Sequence, residues 1–149
     1  MNSRIRGIRA VAGVLALVSL GQVAVAADHP FAEGAVSTIT SVRTVDGMFD
    51  DYLAWLAGPW KQLMEAQKQA GIILGYHVYL GFPRGLDEPD LYLEVTYKNM
   101  AAMDNLDARV EPISEKIMGS MQKATSDQIA RGKMRTVLGD QMIRELVLK

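Results

Sequence analysis

The sequence contains no cysteine. That absence excludes disulfides, thiol catalysis, cysteine-based metal sites and lipid attachment through an N-terminal cysteine. Only two histidines are present, His29 and His77, too few for a histidine-rich catalytic metal centre within one chain. There is no glycine-rich phosphate loop, and the HExxH, GxSxG and SxxK patterns are missing. The one continuous apolar run, Ala10–Leu20, falls short of the about 20 residues that span a bilayer.

What is there begins with an export signature. Arg4, Arg6 and Arg9 precede the apolar run, and Ala24-Val25-Ala26 closes it with the small-x-small pattern that a signal peptidase needs. Residues 1–26 therefore read as a cleavable signal peptide, an uncleaved N-terminal anchor being the alternative. The mature chain is expected in the periplasm or secreted, with no membrane attachment after cleavage. Cleavage removes three of the sixteen basic residues and none of the seventeen acidic ones, leaving a net charge of −4. A mildly acidic chain of this kind argues against nucleic acid as a partner. Its length suits one domain.

If cleavage follows Ala26, the new terminus is Ala27-Asp28-His29. A free amine, two backbone amides and an imidazole at position three can wrap Cu(II) or Ni(II) in a square plane of nitrogens. His29 is thus the candidate metal ligand, with a floppy, metal-free terminus as the plain alternative. No resident cofactor is expected.

Residues 27–35 show no periodicity and read as a flexible leader to a domain over residues 36–149. Val36–Val45 is rich in Val, Ile and Thr, as a strand requires. After Asp46-Gly47 the period becomes helical, with Phe49, Tyr52, Leu53, Leu56, Trp60, Leu63 and Met64 on one face. Pro59 predicts a kink near Gly58, and Gly71 a C-cap. Ile72–Phe82 and Leu91–Lys98 read as strands around a polar loop. Asn99 caps a second helix carrying Met100, Met103, Leu106, Val110, Ile113, Ile117 and Met121, which Pro112 interrupts or restarts. A shorter helix is expected from Ser126 toward Leu138, then a turn at Gly139-Asp140 and a last strand over Gln141–Leu148. The basic residues Arg131, Lys133 and Arg135 read as a solvated helix end. The order β-α-β-β-α-β is that of a ferredoxin-like α+β sheet with two helices on one face.

A hairpin symmetric about residues 85–86 puts Tyr76 opposite Val95 and Val78 opposite Leu93 on an apolar face. The other face then pairs His77 with Glu94 and Tyr79 with Tyr92, and strand one adds Ser41 and Arg43. No helix remains to cover that face, so a second copy of the chain is the simplest cover.

The runs VSTITSVRTVDGMFDDYLAWL, AGIILGYHVY and LYLEVTYKNMAAMD resemble the dimeric α+β barrel superfamily, which includes antibiotic-biosynthesis monooxygenases, NIPSNAP-like domains and stress-responsive barrels. The resemblance covers nearly all of residues 36–148. It implies a homodimer in which two sheets pack face to face as a closed barrel, helices outside. Some relatives are cofactor-free or haem-degrading oxygenases using an Asn, a Trp and a His. Here Asn99 and Asn105 lie at the second helix, Trp55 and Trp60 on the first, and His77 on a strand.

His77 with Glu94 is the candidate catalytic pair, since a carboxylate across from an imidazole fixes its tautomer and raises its pKa. A structural ion pair is the alternative. Tyr79, Tyr92 and Arg43 are candidate contacts for an anionic or phenolic ligand, and Trp55, off the centre of the apolar stripe, for a pocket mouth. Tyr76, Tyr97, Trp60 and the methionines read as core. Three functions follow: binding of a small aromatic or anionic molecule, a cofactor-independent monooxygenase or isomerase using His77 and Glu94, or a non-catalytic structural or stress-associated dimer. Whether the protein is an enzyme is left open by the sequence.

Overall fold

Alternation of Val with Thr and Ser makes the first strand, and its position makes the sheet. In a computed structural model, which describes residues 29–119 and 121–149, β1 (Phe31–Thr44) is flanked on both sides by antiparallel partners. The other strands are β2 (Gly75–Leu80), β3 (Leu91–Tyr97) and β4 (Arg135–Leu148), in the spatial order β2-β3-β1-β4. That order and polarity define a ferredoxin-like α+β fold. The signal-peptide segment and the first two residues of the metal motif lie outside the described residues.

Between β1 and β2 the chain forms α1 (Phe49–Trp55), a π-helical turn (Leu56–Trp60) and α2 (Lys61–Gln69). The kink expected near Gly58 takes the form of this widened turn. Pro59 has no N–H to give and would press its ring on the preceding turn, and one extra residue per turn relieves both. Gly71 ends the helix at φ 68°, the left-handed conformation expected of a C-cap glycine.

The hairpin register is the predicted one: His77 opposite Glu94, Val78 opposite Leu93 and Tyr79 opposite Tyr92. The loop between β2 and β3 is pinned to the end of β1. Asp90 accepts from the Thr44 amide (3.0 and 3.1 Å) and from the Thr44 hydroxyl, while its own amide donates to the Val42 carbonyl at 3.0 Å. Gly81 is required here, because a Cβ would sit 2.7 Å from the Pro89 carbonyl oxygen.

Several expected boundaries move. Residues 31–35, expected in a flexible leader, are strand: Phe31 pairs with Leu148 and Ala32 with Val147. Leader and C-terminus supply each other's backbone partners, which neither sequence shows alone. β4 starts at Arg135, and Gly139-Asp140 is no turn. Gly139 lies beside a bulge at which Leu138 is the extra residue, and the strand continues through it. β2 is shorter than expected, because Ile72 and Ile73 leave the strand for the core. The expected second helix is divided. Asn99 does cap, accepting from the Ala102 amide at 3.0 Å, but it caps a 3₁₀ turn (Met100–Met103). Asn105 at φ 52° then redirects the chain into α3 (Leu106–Met118). Pro112 sits inside α3 without breaking it, on its exposed side, where a freed carbonyl meets water. Ser126 is not a cap. It lies within α4 (Met121–Gly132), its hydroxyl donating to the Gln122 carbonyl at 3.0 Å.

The core lies between the sheet and the helices in two clusters. Val42, Leu91 and Leu93 meet Tyr52 and Leu56, while Tyr97 meets Met64, Ile72 and Ile73. Leu91 is 1% exposed at the centre of the first cluster. Leu91→Ala is expected to lower the unfolding free energy by roughly 2–5 kcal/mol, read from urea denaturation followed by far-ultraviolet circular dichroism.

Candidate functional site

The sheet divides the candidate residues between its two faces. On the uncovered face β2 and β3 present His77, Tyr79, Tyr92 and Glu94, as their odd–even alternation demands. His77 faces Glu94, but among the described residues the two form no ion pair or hydrogen bond. Tyr79 takes the carboxylate instead, its hydroxyl donating to Glu94 Oε2 at 2.6 Å. His77 leans on Tyr79, ring centroids 5.8 Å apart, and is exposed. The Tyr79 hydroxyl, and secondarily that of Ser37, hold the Glu94 carboxyl below the ordinary glutamate range, with a smaller contribution from His77. The same bond raises the Tyr79 phenol. A recess of about 310 Å³ beside Glu94 is bounded by Ser37, Thr96, Ile143, Arg144 and Glu145, and His77 is not part of its wall.

The expected ligand-contact set does not assemble. Arg43 turns away to the β2–β3 loop, donating to the Glu88 carbonyl at 3.4 Å. Trp55 belongs to α1 and lies on the opposite face of the sheet. Helices cover only one face, so no helical residue can join the group around Glu94. His29 stacks on Phe31, with centroids 5.4 Å apart.

The sheet–helix side holds a better-built cavity. A pocket of about 250 Å³ lies between β1, β3, β4 and the helices, lined by Thr40, Tyr52, Trp55, Trp60, Leu93, Val95, Arg131, Arg135, Val137 and Asp140. Tyr52 and Trp55, three apart on α1, stack nearly parallel, 6.0 Å between centroids and 5° between planes. Arg131, near the end of α4, lies over Trp55 at 4.7 Å, and Arg135, the first residue of β4, over Tyr52 at 5.4 Å. Among the described residues neither guanidinium has a carboxylate partner. The one carboxylate in the pocket, Asp140, accepts from the Thr40 hydroxyl at 2.6 Å.

Tyr52 is fully buried, and among the described residues its hydroxyl is the one buried side-chain polar atom without a hydrogen-bond partner. Burial raises its pKa, and the nearby Arg135 and Arg131 charges pull it partly back. Arg131 is pushed down by its own burial and then by Arg135. Two cations thus share one partly desolvated space with a single anion.

Of the basic run expected as a solvated helix end, Lys133 is exposed, but Arg131 and Arg135 lie over aromatic rings. Their alternate spacing crosses the boundary between α4 and β4, so helix and strand aim Arg131 and Arg135 at the same pocket. The Tyr52–Trp55 spacing was the available signal for its aromatic wall. Of the aromatics expected in the core, Tyr97 is buried, whereas Trp60 and Tyr76 meet edge to face at 5.2 Å along an open groove of about 350 Å³. The Tyr76 hydroxyl donates to Glu65 at 2.5 Å, which raises its pKa to about 12.

No known protein family matches the chain, and no curated protein matches it in sequence. Among solved structures, a dimeric ferredoxin-like protein from an uncultured marine organism is 13% identical, with 78% of this chain and 98% of that chain covered at a TM-score of 0.48. A second dimeric ferredoxin-like protein from an uncultured marine organism is 10% identical, with 79% and 90% covered at 0.49. The ferredoxin-like class of this chain rests on its own strand order and register.

A lowered carboxylate pKa contributes stability that is present above the unfolded value and lost as pH falls through the folded one. Tyr79→Phe should therefore raise the Glu94 pKa toward the ordinary range and flatten stability against pH on the acid side. Carboxyl NMR titration checks the first effect and denaturation at several pH values the second. An unmoved Glu94 would mean that Tyr79 does not hold it.

Proposed function

We propose that the protein is an exported homodimer that binds a small aromatic anion in the pocket between sheet and helices. The observation that carries this reading is the state of Arg131 and Arg135. Each places its guanidinium carbon over an aromatic ring, and neither is consumed by a carboxylate among the described residues. A guanidinium held over a ring is not paired with a carboxylate, and its fork of N–H donors matches one. The Tyr52 hydroxyl adds an unused donor. A buried donor without a partner costs about 1–3 kcal/mol, which an arriving acceptor recovers.

The rest of the wall supports the class of molecule. Trp55 and Trp60 offer ring surface, and about 250 Å³ suits a ligand of one ring rather than a fused cofactor. Two arginines and one aspartate leave a single positive charge for a monoanion. Asp140 favours a hydrogen-bond donor at the far end of the ligand, as in a hydroxylated benzoate. The reading is one of binding without catalysis, because no histidine lines the pocket and Glu94 on the other face is engaged by Tyr79. The homodimer is supported by the uncovered face, where Tyr79 is 48% exposed.

Trp55 and Trp60 are the only tryptophans, so their fluorescence reports on this pocket. Titration with 4-hydroxybenzoate should quench it saturably, and Arg135→Ala should weaken binding tenfold or more, a loss of about 1.4 kcal/mol. Saturable quenching that survives both Arg131→Ala and Arg135→Ala would remove the arginines from the proposal. Export is tested by N-terminal sequencing of the protein from its own source. A start at Ala27 is expected, together with Cu(II) uptake in the visible spectrum. A start at Met1 would remove signal-peptide cleavage, and a start at Asp28 the metal site.

A further inference from the structure

β4 is an edge strand with few of the devices that normally protect one. Over its 14 residues it has β1 on one side and, among the described residues, no strand on the other. It holds no proline and no lysine. Val137, Met142, Ile143, Leu146 and Val147 are exposed, Met142 at 49% and Leu146 at 51%. An uncovered apolar edge of this length is a template for another strand.

Its sequence identifies the strand that fits. Counted outward from Met142, the residues on the two sides complement each other. Asp140 meets Arg144 and Leu138, the bulged residue, meets Leu146, while Gln141 lies across from Ile143. An antiparallel copy with Met142 facing its own symmetry mate therefore sets opposite charges and apolar side chains across from each other. Moving the axis one residue back sets Arg144 against Leu138. Moving it one residue forward sets Asp140 against Leu146. An axis between Met142 and Ile143 sets Asp140 against Glu145, two like charges.

We propose that β4 pairs with β4 of a second copy about a twofold axis at Met142, and that this brings Arg144 of the partner subunit to Asp140, at the pocket between sheet and helices. The inference rests on the homodimer reading and adds its seam, its register and a residue shared across it. Asp140 has room for the contact, since among the described residues Thr40 engages Oδ1 and Oδ2 has no hydrogen-bond donor. Arg144 is held in place within its own chain by Glu33, 2.5 Å away. Each pocket then counts Arg131 and Arg135 of its own chain and Arg144 of the partner subunit, the last shared with Glu33 of the partner subunit. With an even register the helices of both copies lie on the same side of the joined sheet, as a barrel with outer helices requires.

The absence of native cysteine makes the test direct. The full chain carrying Met142→Cys is oxidised with diamide and run on non-reducing gels. Facing Cα atoms in an antiparallel pair lie about 4.5–5.5 Å apart, within the range a disulfide bridges. A covalent dimer is expected, while Leu146→Cys, which faces Leu138 rather than itself, should stay uncrosslinked. Sedimentation velocity gives the second measurement. Asp140→Arg and Arg144→Asp should each weaken the dimer at least tenfold, and the two together should restore it. A dimer that Met142→Cys does not lock, or charge variants that fail to rescue each other, would overturn the seam and leave the dimer standing. A monomer at every concentration would overturn both.

Discussion

The central strand carries the structure. β1 gives its backbone groups to β3 on one side and to β4 on the other, so its register constrains three strands at once. Side chains of a strand alternate between faces, and one choice of register sends Val36 and Val42 to the core and Ser41 and Arg43 to the open side. Two local irregularities adjust this rule without breaking it. One lies near Gly34, where a Cβ would collide with the Glu145 side chain, and the other at Leu138 of β4. The rest of the sheet, including which residues reach the pocket, inherits its position from that pairing.

The pocket is made where regular structure is interrupted. The π-helical turn around Pro59 advances the phase of the first helical segment and brings Trp60 round to the cavity that Trp55 also lines. The end of α4 and the start of β4 converge on the same cavity from different directions. The guanidiniums lie there over aromatic faces and have no carboxylate partner among the described residues, and the rings lower the cost of their partial burial. An internal ion pair would hold the same charges more firmly and leave nothing to recognise a ligand with.

The fold was legible in the sequence because its signals were local. The β2–β3 register followed from one loop, and Gly71 and Asn99 announced their turns. The ends of the sheet were not legible. Residues 31–35 have no strand pattern of their own and become strand only because the C-terminal residues lie beside them. Gly139-Asp140 looks like a turn on any local criterion, and only pairing with Ser41 and Thr40 makes it a bulged strand. The candidate site was half visible. His77, Glu94, Tyr79 and Tyr92 do share a face, as alternation requires, yet which hydroxyl takes Glu94 is a matter of side-chain reach. The placement of Arg131 and Arg135 was not legible, because a charge run looks the same whether it faces water or an aromatic wall.

The exposed edge of β4 has a consequence for the life of the molecule before it is assembled. In the proposed pairing two copies must meet, a second-order process, so the lone chain would persist longest when the protein is scarce. During that interval a bare apolar strand competes for any extended segment nearby, including those of unrelated chains. Abundance thereby acts as a folding condition: a burst of synthesis shortens the vulnerable interval, and a trickle prolongs it.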